Sequence, residues 1–168
     1  MKLSKLILIF IMCLVAAFLC GCSSALPGKI LVGYESPTLR MYRLEDGSPV
    51  TLRSYPGQRK IIIFWNTQCG ASRRAMAKLD TIAQRFVQRK DTSTVFIAAN
   101  LNPSSDLKKV KDQILEKDAF SVEHMMSGNE EYDEAYINVK GNSLPYVVVV
   151  ERDDTVSAVE DNIDFLQY

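Results

Sequence analysis

The chain has 168 residues, of which 47% are hydrophobic and 24% are charged, a balance typical of a globular protein with a packed core. Lys and Arg number 20, as do Asp and Glu, so a formal net charge of zero gives no electrostatic reason to expect binding to DNA or RNA. Composition therefore excludes a disordered chain and argues against nucleic acid as a partner.

The N-terminus carries a targeting pattern, in which Lys2 and Lys5 precede an apolar run from Leu6 to Leu19. This run is shorter than the ~20 residues that a membrane-spanning helix needs, so we interpret residues 1–21 as a signal peptide.

The segment Leu19-Cys20-Gly21-Cys22 resembles the lipobox of bacterial lipoproteins. The resemblance implies that Cys22 receives the lipid and anchors the protein outside the cytoplasm on a bacterial membrane. Ser23 follows the lipidated cysteine, which by analogy with such lipoproteins implies the periplasmic side of the outer membrane in a Gram-negative cell. An ordinary secretory peptide with a chance cysteine is the alternative.

The positions of the four cysteines limit the disulfide chemistry that the exported protein can perform. Cys13 and Cys20 leave with the signal peptide and Cys22 is consumed by the lipid, so Cys69 stays as the only thiol and no internal disulfide can form. Residues 22–33 are rich in Ser, Ala, Pro and Gly and are interpreted as a tether, with one domain over residues 34–168.

The first half of that domain has strand signals followed by a helix. Leu39–Leu44 and Val50–Leu52, on either side of a Gly turn, predict a hairpin. The apolar run Ile61–Phe64 predicts a buried central strand, and apolar residues at three- and four-residue spacing from Arg73 to Val87 predict an amphipathic helix. Thr94–Ala99 predicts a second buried strand, which completes a strand-helix-strand unit with parallel strands.

The second half is less regular. Asp106–Lys117 predicts another helix, and a short helix is expected at Glu130–Tyr136 after a turn. Tyr146–Val150 and Thr155–Val159 predict a C-terminal hairpin, and Asp161–Tyr168 has room for a short terminal helix.

Residues 46–79, DGSPVTLRSYPGQRKIIIFWNTQCGASRRAMAKL, resemble the membrane-tethered, extracytoplasmic thioredoxins of the TlpA and ResA type. The resemblance implies an α/β thioredoxin fold, with a central mixed sheet flanked by helices and an N-terminal β-hairpin. It also implies thiol-disulfide oxidoreductase activity, with Cys69 as the catalytic thiol.

The same resemblance assigns the remaining site residues. Ser72 stands where the family has its second cysteine, so the motif is Cys-X-X-Ser. Trp65, Gly70 and Ala71 flank the thiol and are expected to contact substrate. Leu144-Pro145, directly before the YVVVV strand, resembles the segment that places a cis-proline opposite the catalytic cysteine, so Leu144 would offer its backbone to a substrate peptide; a trans Pro145 that merely begins an edge strand is the alternative.

Local chemistry favours a thiolate at position 69. A helix N-terminus, the cations Arg73 and Arg74, and a donor at Ser72 all lower the pKa of a thiol. Without a second cysteine, however, Cys69 can form a mixed disulfide but cannot resolve it alone, so an external reducing thiol must complete the exchange.

Three functions are compatible with these residues. The first is monothiol exchange with thiols or disulfides of exported proteins. The second is a non-catalytic thioredoxin-fold binding module of the cell envelope. The third is a thiol peroxidase, because Cys69-Gly70-Ala71-Ser72 also resembles the Cys-Gly-X-Thr signature of glutathione peroxidases. No cofactor is expected, and His124-Met125-Met126 is interpreted as filler and not as a metal site.

Overall fold

The computed structural model describes residues 26–115 and 121–166. The predicted signal peptide, the proposed lipidation site Cys22 and the predicted helix end at Lys117 lie outside these residues. Across the two described ranges, no helix is both long and apolar enough to cross a membrane.

A five-stranded mixed sheet forms the centre of the domain. Its strands, in chain order, are β3 (Arg59–Trp65), β4 (Thr94–Asn100), β5 (Glu123–Met126), β6 (Tyr146–Val150) and β7 (Val156–Glu160). The spatial order is β5-β4-β3-β6-β7, in which β4 pairs parallel with β3 and β5, while β6 pairs antiparallel with β3 and β7. Side chains of β3 from Lys60 to Trp65 are buried, as the apolar run predicted for a strand covered on both faces.

The N-terminal hairpin is confirmed as a separate two-stranded sheet of β1 (Arg40–Tyr42) and β2 (Pro49–Thr51). It packs on one face of the central sheet, where Met41 and Val50 join the core around Phe64.

Within the described residues, three α-helices complete the layers: α1 (Gly70–Gln88), α2 (Leu107–Leu115) and α3 (Glu134–Asn138). Both α1 and α2 cover the face opposite the hairpin, where Leu79 and Val110 are fully buried against Ile61 and Ile63. The helix α3 packs beside the hairpin on the other face. The predicted α/β architecture, with a mixed sheet flanked by helices and an N-terminal hairpin, is therefore confirmed.

Two local features differ from the prediction. No helix forms over Asp161–Leu166; this segment bends and places Ile163 and Leu166 in the core beside α1, so apolar contact is made without helical hydrogen bonds. Strand β5 was not predicted, because its first two residues, Glu123 and His124, are polar and its four residues are too few for a periodicity to show.

The described part of the predicted tether also has a fixed structure. Pro27–Leu31 forms a 3₁₀ helix, and Leu26 and Leu31 pack against the core. Gly28 is buried, and a Cβ at this position would lie 1.9 Å from the hydroxyl oxygen of Tyr146. From Leu26 onward, this segment is thus part of the folded domain.

Candidate active site

The end of β3 presents Cys69 at the start of α1. After Trp65 the chain makes a tight turn in which the N–H of Cys69 donates to the carbonyl of Asn66 (3.3 Å). Cys69 is the N-cap of α1, which begins three residues earlier than the predicted helix start at Arg73, because the Cys69 side chain satisfies a free N–H of the first turn. The strand thus ends where a thiol meets the positive end of a 19-residue helix.

The thiol lies between two backbone groups. The N–H of Ser72 donates to Sγ at 3.4 Å, and Sγ donates to the carbonyl of Leu144 at 3.6 Å. The peptide bond between Leu144 and Pro145 is cis, as predicted. The structure therefore brings together four of the predicted site residues, and it leaves Cys69 partly exposed.

The surroundings lower the pKa of the Cys69 thiol below the ordinary value of a cysteine thiol. The Ser72 side chain contributes most, followed by the Ser72 N–H, while burial acts in the opposite direction; the N–H of Ala71 and the charge of Arg73 lower the pKa further. The direction agrees with the thiolate expected from the sequence.

The Ser72 side chain acts on the sulfur through proximity. Its hydroxyl is fully buried and makes no hydrogen bond of normal geometry within the described residues, so only the backbone N–H of Ser72 bonds to Sγ. An uncommitted donor next to the sulfur can rotate toward negative charge when the thiol ionises.

A buried side-chain network holds the turn before Cys69. The fully buried Asn102 accepts from the N–H of Thr67 (3.0 Å) and donates to the hydroxyl of Thr67 (2.8 Å) and to the carboxylate of Asp106 (2.9 Å). Its own N–H donates to the side chain of Asn100 (2.9 Å). The loop after β4 is therefore fastened to the loop after β3 at Thr67, two residues before Cys69.

This network reaches the thiol through Arg73. The guanidinium of Arg73 donates to the carbonyl of Thr67 (2.8 Å), which places its charge near Cys69. Asn102 fixes Thr67, Thr67 fixes Arg73, and the charge of Arg73 lowers the pKa of the thiol.

A second support lies behind the cis-proline. Tyr136 donates its hydroxyl to the carbonyl of Ser143 (2.9 Å), and its ring fills the space over Gly141, where a Cβ would come within 2.0 Å of it. Tyr136 thus sets the path of residues 141–145, which carry the Leu144 carbonyl to the thiol.

The other predicted site residues differ in their access to a substrate. Trp65 is only 6% exposed and packs in the core between the sheet and α1, so its role is mainly in packing. Gly70 is partly exposed and Ala71 is exposed beside the thiol. Met125 and Met126 are core residues of β5, and no cluster of three His, Cys, Asp or Glu suited to a metal ion occurs in residues 26–115 or 121–166.

Sequence reasoning missed both supports. Asn102 lies in a stretch that was interpreted as an ordinary loop, and Tyr136 was one residue of a short helix. The available signal was the pair Asn100 and Asn102 directly after a buried strand, because polar residues at that position meet the end of the neighbouring parallel strand.

Comparison with known proteins gives a family and a fold. The sequence model of the redoxin family matches residues 31–164. Among curated protein sequences, none matches this chain.

Solved structures resemble the chain over most of its length. The thioredoxin domain of a thiol-disulfide oxidoreductase from Bacteroides vulgatus has a TM-score of 0.64 and 18% identity, covering 80% of this chain and 91% of its own. A thiol-disulfide oxidoreductase from Bacteroides fragilis has a TM-score of 0.66 and 13% identity, with 79% and 93% covered. The pneumococcal exposed lipoprotein thioredoxin from Streptococcus pneumoniae has a TM-score of 0.59 and 13% identity, with 76% and 90% covered. At these identities the likeness shows the thioredoxin-like fold alone.

Proposed function

Because the chain belongs to the redoxin family, we propose that it is a lipid-anchored, extracytoplasmic protein that exchanges disulfides with thiols or disulfides of exported proteins through one thiol, Cys69. The observation that carries the proposal is the position of Sγ, which lies 3.4 Å from the N–H of Ser72 and 3.6 Å from the carbonyl of Leu144. A thiol that caps a helix, has a lowered pKa and is partly exposed has the properties of a nucleophile in disulfide exchange.

The exchange proceeds in two balanced steps. The Cys69 thiolate attacks one sulfur of a substrate disulfide, a mixed disulfide forms, and the other substrate sulfur leaves as a thiolate. An external thiolate then attacks the substrate sulfur of the mixed disulfide and releases Cys69 as a thiolate. The external thiol is needed because residue 72 is serine and Cys69 is the only cysteine between residues 26 and 168.

The location outside the cytoplasm rests on the N-terminal sequence. The basic, apolar and Leu-Cys-Gly-Cys segments support export and lipidation at Cys22. One protein of similar fold, from Streptococcus pneumoniae, is described as an exposed lipoprotein thioredoxin, which is consistent with a fold that works at a membrane surface.

The test is to trap mixed disulfides in the native cell envelope. The full chain, with an affinity tag, is expressed in its bacterium, thiols are blocked in acid, and adducts are separated on non-reducing gels. We expect adducts that depend on Cys69 and disappear on reduction. The Cys69→Ser variant is the control, since serine keeps a cap for α1 but cannot form a disulfide.

A second variant tests the need for an external thiol. Ser72→Cys places a thiol at the position whose N–H already contacts Sγ. We expect this variant to resolve its own mixed disulfides, so adducts decrease and catalytic reduction of insulin disulfides increases.

The main alternative is a binding module without turnover. It is favoured by one observation, the buried Ser72 hydroxyl without a hydrogen bond, which is what replacement of a working cysteine would leave behind. Partners that are retained by Cys69→Ser would support this alternative and contradict the exchange function.

A further inference from the structure

The N-terminal segment is attached along the edge strand of the sheet. The N–H of Gly33 donates to the carbonyl of Val156, and the N–H of Val156 donates to the carbonyl of Tyr34, both at 2.9 Å. Nearer the N-terminus, Lys29 forms an ion pair with Glu160 (3.2 Å). These contacts, together with the burial of Gly28 against Tyr146, fix residues 27–34 along β7.

This attachment shortens the connection to the proposed lipid. A free tether over residues 22–33 would reach about 40 Å when fully extended. With the chain fixed from Leu26 onward, the four steps from Cys22 to Leu26 span at most about 14 Å, whatever conformation they adopt. A lipid at Cys22 would therefore keep Leu26, where the folded segment begins, close to the membrane surface.

The same segment carries exposed apolar side chains. Ile30 is 71% exposed, Val32 41% and Tyr34 69%. Seven large apolar side chains are exposed among the described residues, and three of them lie within residues 30–34. The other four are distributed between α1, α2 and the region from Tyr132 to Ile137. We call Ile30, Val32 and Tyr34 the N-terminal patch.

We propose that the N-terminal patch lies on the lipid bilayer and seats the β7 edge of the domain against the membrane, an inference that rests on the proposed lipidation of Cys22. Aliphatic side chains gain free energy when they leave water for the acyl boundary, and tyrosine suits the headgroup region because it joins an apolar ring to a polar hydroxyl. Three side chains would bind a membrane weakly on their own, but the anchor keeps them at high effective concentration beside it.

Charge indicates what kind of contact this is. Lys29 is the only cation between residues 26 and 35, and it is already paired with Glu160. The contact therefore depends on apolar burial and not on anionic lipid, and we expect it to persist at high salt.

Fluorescence quenching by brominated lipid tests this seating directly. The full chain is expressed with its own signal in a lipoprotein-processing bacterium, purified in detergent and reconstituted into vesicles of phosphatidylethanolamine and phosphatidylglycerol, with or without brominated acyl chains. Tyr34→Trp adds a reporter in the patch, and the wild-type protein gives the background from Trp65, which is the only natural tryptophan and is buried. We expect bromine to quench the emission added by Tyr34→Trp, because an interfacial side chain lies within reach of the acyl chains.

Tyr132→Trp is the matched control. Tyr132 has a similar exposure, 74%, but lies in the connection that follows β5, the strand at the opposite edge of the sheet from β7. We expect its added emission to be unaffected by bromine.

The other outcomes each contradict the inference at a different level. If the protein floats with the vesicles but the reporter in Tyr34→Trp is quenched no more than the reporter in Tyr132→Trp, the seating is overturned and the lipid anchor stays intact. If the protein does not float with the vesicles, the proposed lipid anchor is contradicted, and the seating with it. This result does not concern the chemistry of Cys69. If the reporter emission in Tyr34→Trp shifts to the blue but is not quenched by bromine, the N-terminal patch is covered by a second copy of the chain. That result would overturn the membrane contact.

Discussion

Two helices of this protein begin with the same capping geometry but with different consequences. At the start of α1, the Cys69 sulfur accepts from the N–H of Ser72 at 3.4 Å; at the start of α3, the Asp133 carboxylate accepts from the N–H of Tyr136 at 3.0 Å. In both cases the cap bonds the third residue of the helix, as N-caps commonly do. Asp133 is 4% exposed, whereas Cys69 is partly open to solvent.

The difference lies in what faces each cap. Cys69 faces the Leu144 carbonyl before a cis-proline and has the charge of Arg73 nearby, whereas Asp133 is enclosed and its role is to satisfy a helix end. A helix N-terminus therefore creates a reactive site only when a nucleophile is placed on it with access and with a second element opposite. The following variants test this contrast between the Cys69 cap and the Asp133 cap.

The largest difference in reactivity between the two caps is expected when each is replaced with serine. Cys69→Ser should abolish the adduct with a small disulfide such as oxidised glutathione completely, because no sulfur is left, while Asp133→Ser should form it at the wild-type rate. Mass spectrometry of the peptide that carries residue 69 measures the adduct. Loss of the adduct in Asp133→Ser would show that the Asp133 cap also supports the reactivity of Cys69, and would contradict the contrast between the two caps.

Asn102→Leu should weaken both stability and reactivity. The Thr67 N–H loses its buried partner, so we expect the free energy of unfolding to fall by about 1–3 kcal/mol. The carbonyl of Thr67 is then no longer held for Arg73, and alkylation of Cys69 at neutral pH should slow. Urea unfolding and iodoacetamide kinetics measure the two effects. A loss of stability at an unchanged alkylation rate would show that Asn102 stabilises the fold but does not influence the reactivity of Cys69.

Ser72→Ala should change reactivity several-fold with little change in stability. Its hydroxyl has no hydrogen bond to lose, but it helps to lower the pKa of the Cys69 thiol, so its removal raises that pKa and lowers the thiolate fraction at neutral pH. The pH profile of alkylation should shift to higher pH. A profile identical to that of the wild type would mean that the Ser72 hydroxyl does not act on the sulfur.

The smallest effect on the site is expected from Asp133→Ala. Loss of this cap should cost about 1 kcal/mol of stability, the usual value for an N-cap. We expect the alkylation rate of Cys69 to be unchanged, because only the backbone N–H of Tyr136 loses its partner and the Tyr136 hydroxyl keeps its hydrogen bond to Ser143. The variant is therefore also the control for Asn102→Leu, because it lowers stability without touching the network around Thr67. A slower alkylation in Asp133→Ala would mean that general loosening explains the effect of Asn102→Leu.

The sequence was most informative where one chemical signal dominated. The apolar run of β3, the β-branched run of β6 and the three- and four-residue spacing in α1 each predicted the element found, because burial on one face or on both dictates residue type directly. Cys69, Ser72 and Leu144-Pro145 were found through a resemblance, and the structure brings them together.

The rest depends on contacts between distant parts of the chain. Asn102 acts on Thr67, 35 positions earlier, and the strand β5 is formed by pairing with β4 and not by a strong local pattern. Gly28 was assigned to a tether, since Pro and Gly are typical of linkers, but the glycine is required for close approach to Tyr146. Local composition could not distinguish these two uses of glycine.

The pH dependence of Cys69 alkylation by iodoacetamide, measured on the peptide that carries residue 69, tests the central claim most directly. Only the thiolate reacts, so the rate rises with pH through the pKa of the folded protein and then levels off. We expect a single midpoint below about 8.5, the ordinary pKa of a cysteine thiol, because Ser72, the helix N–H groups and Arg73 all favour the charged form. A midpoint at or above about 8.5 would contradict the assignment of Cys69 as an activated nucleophile.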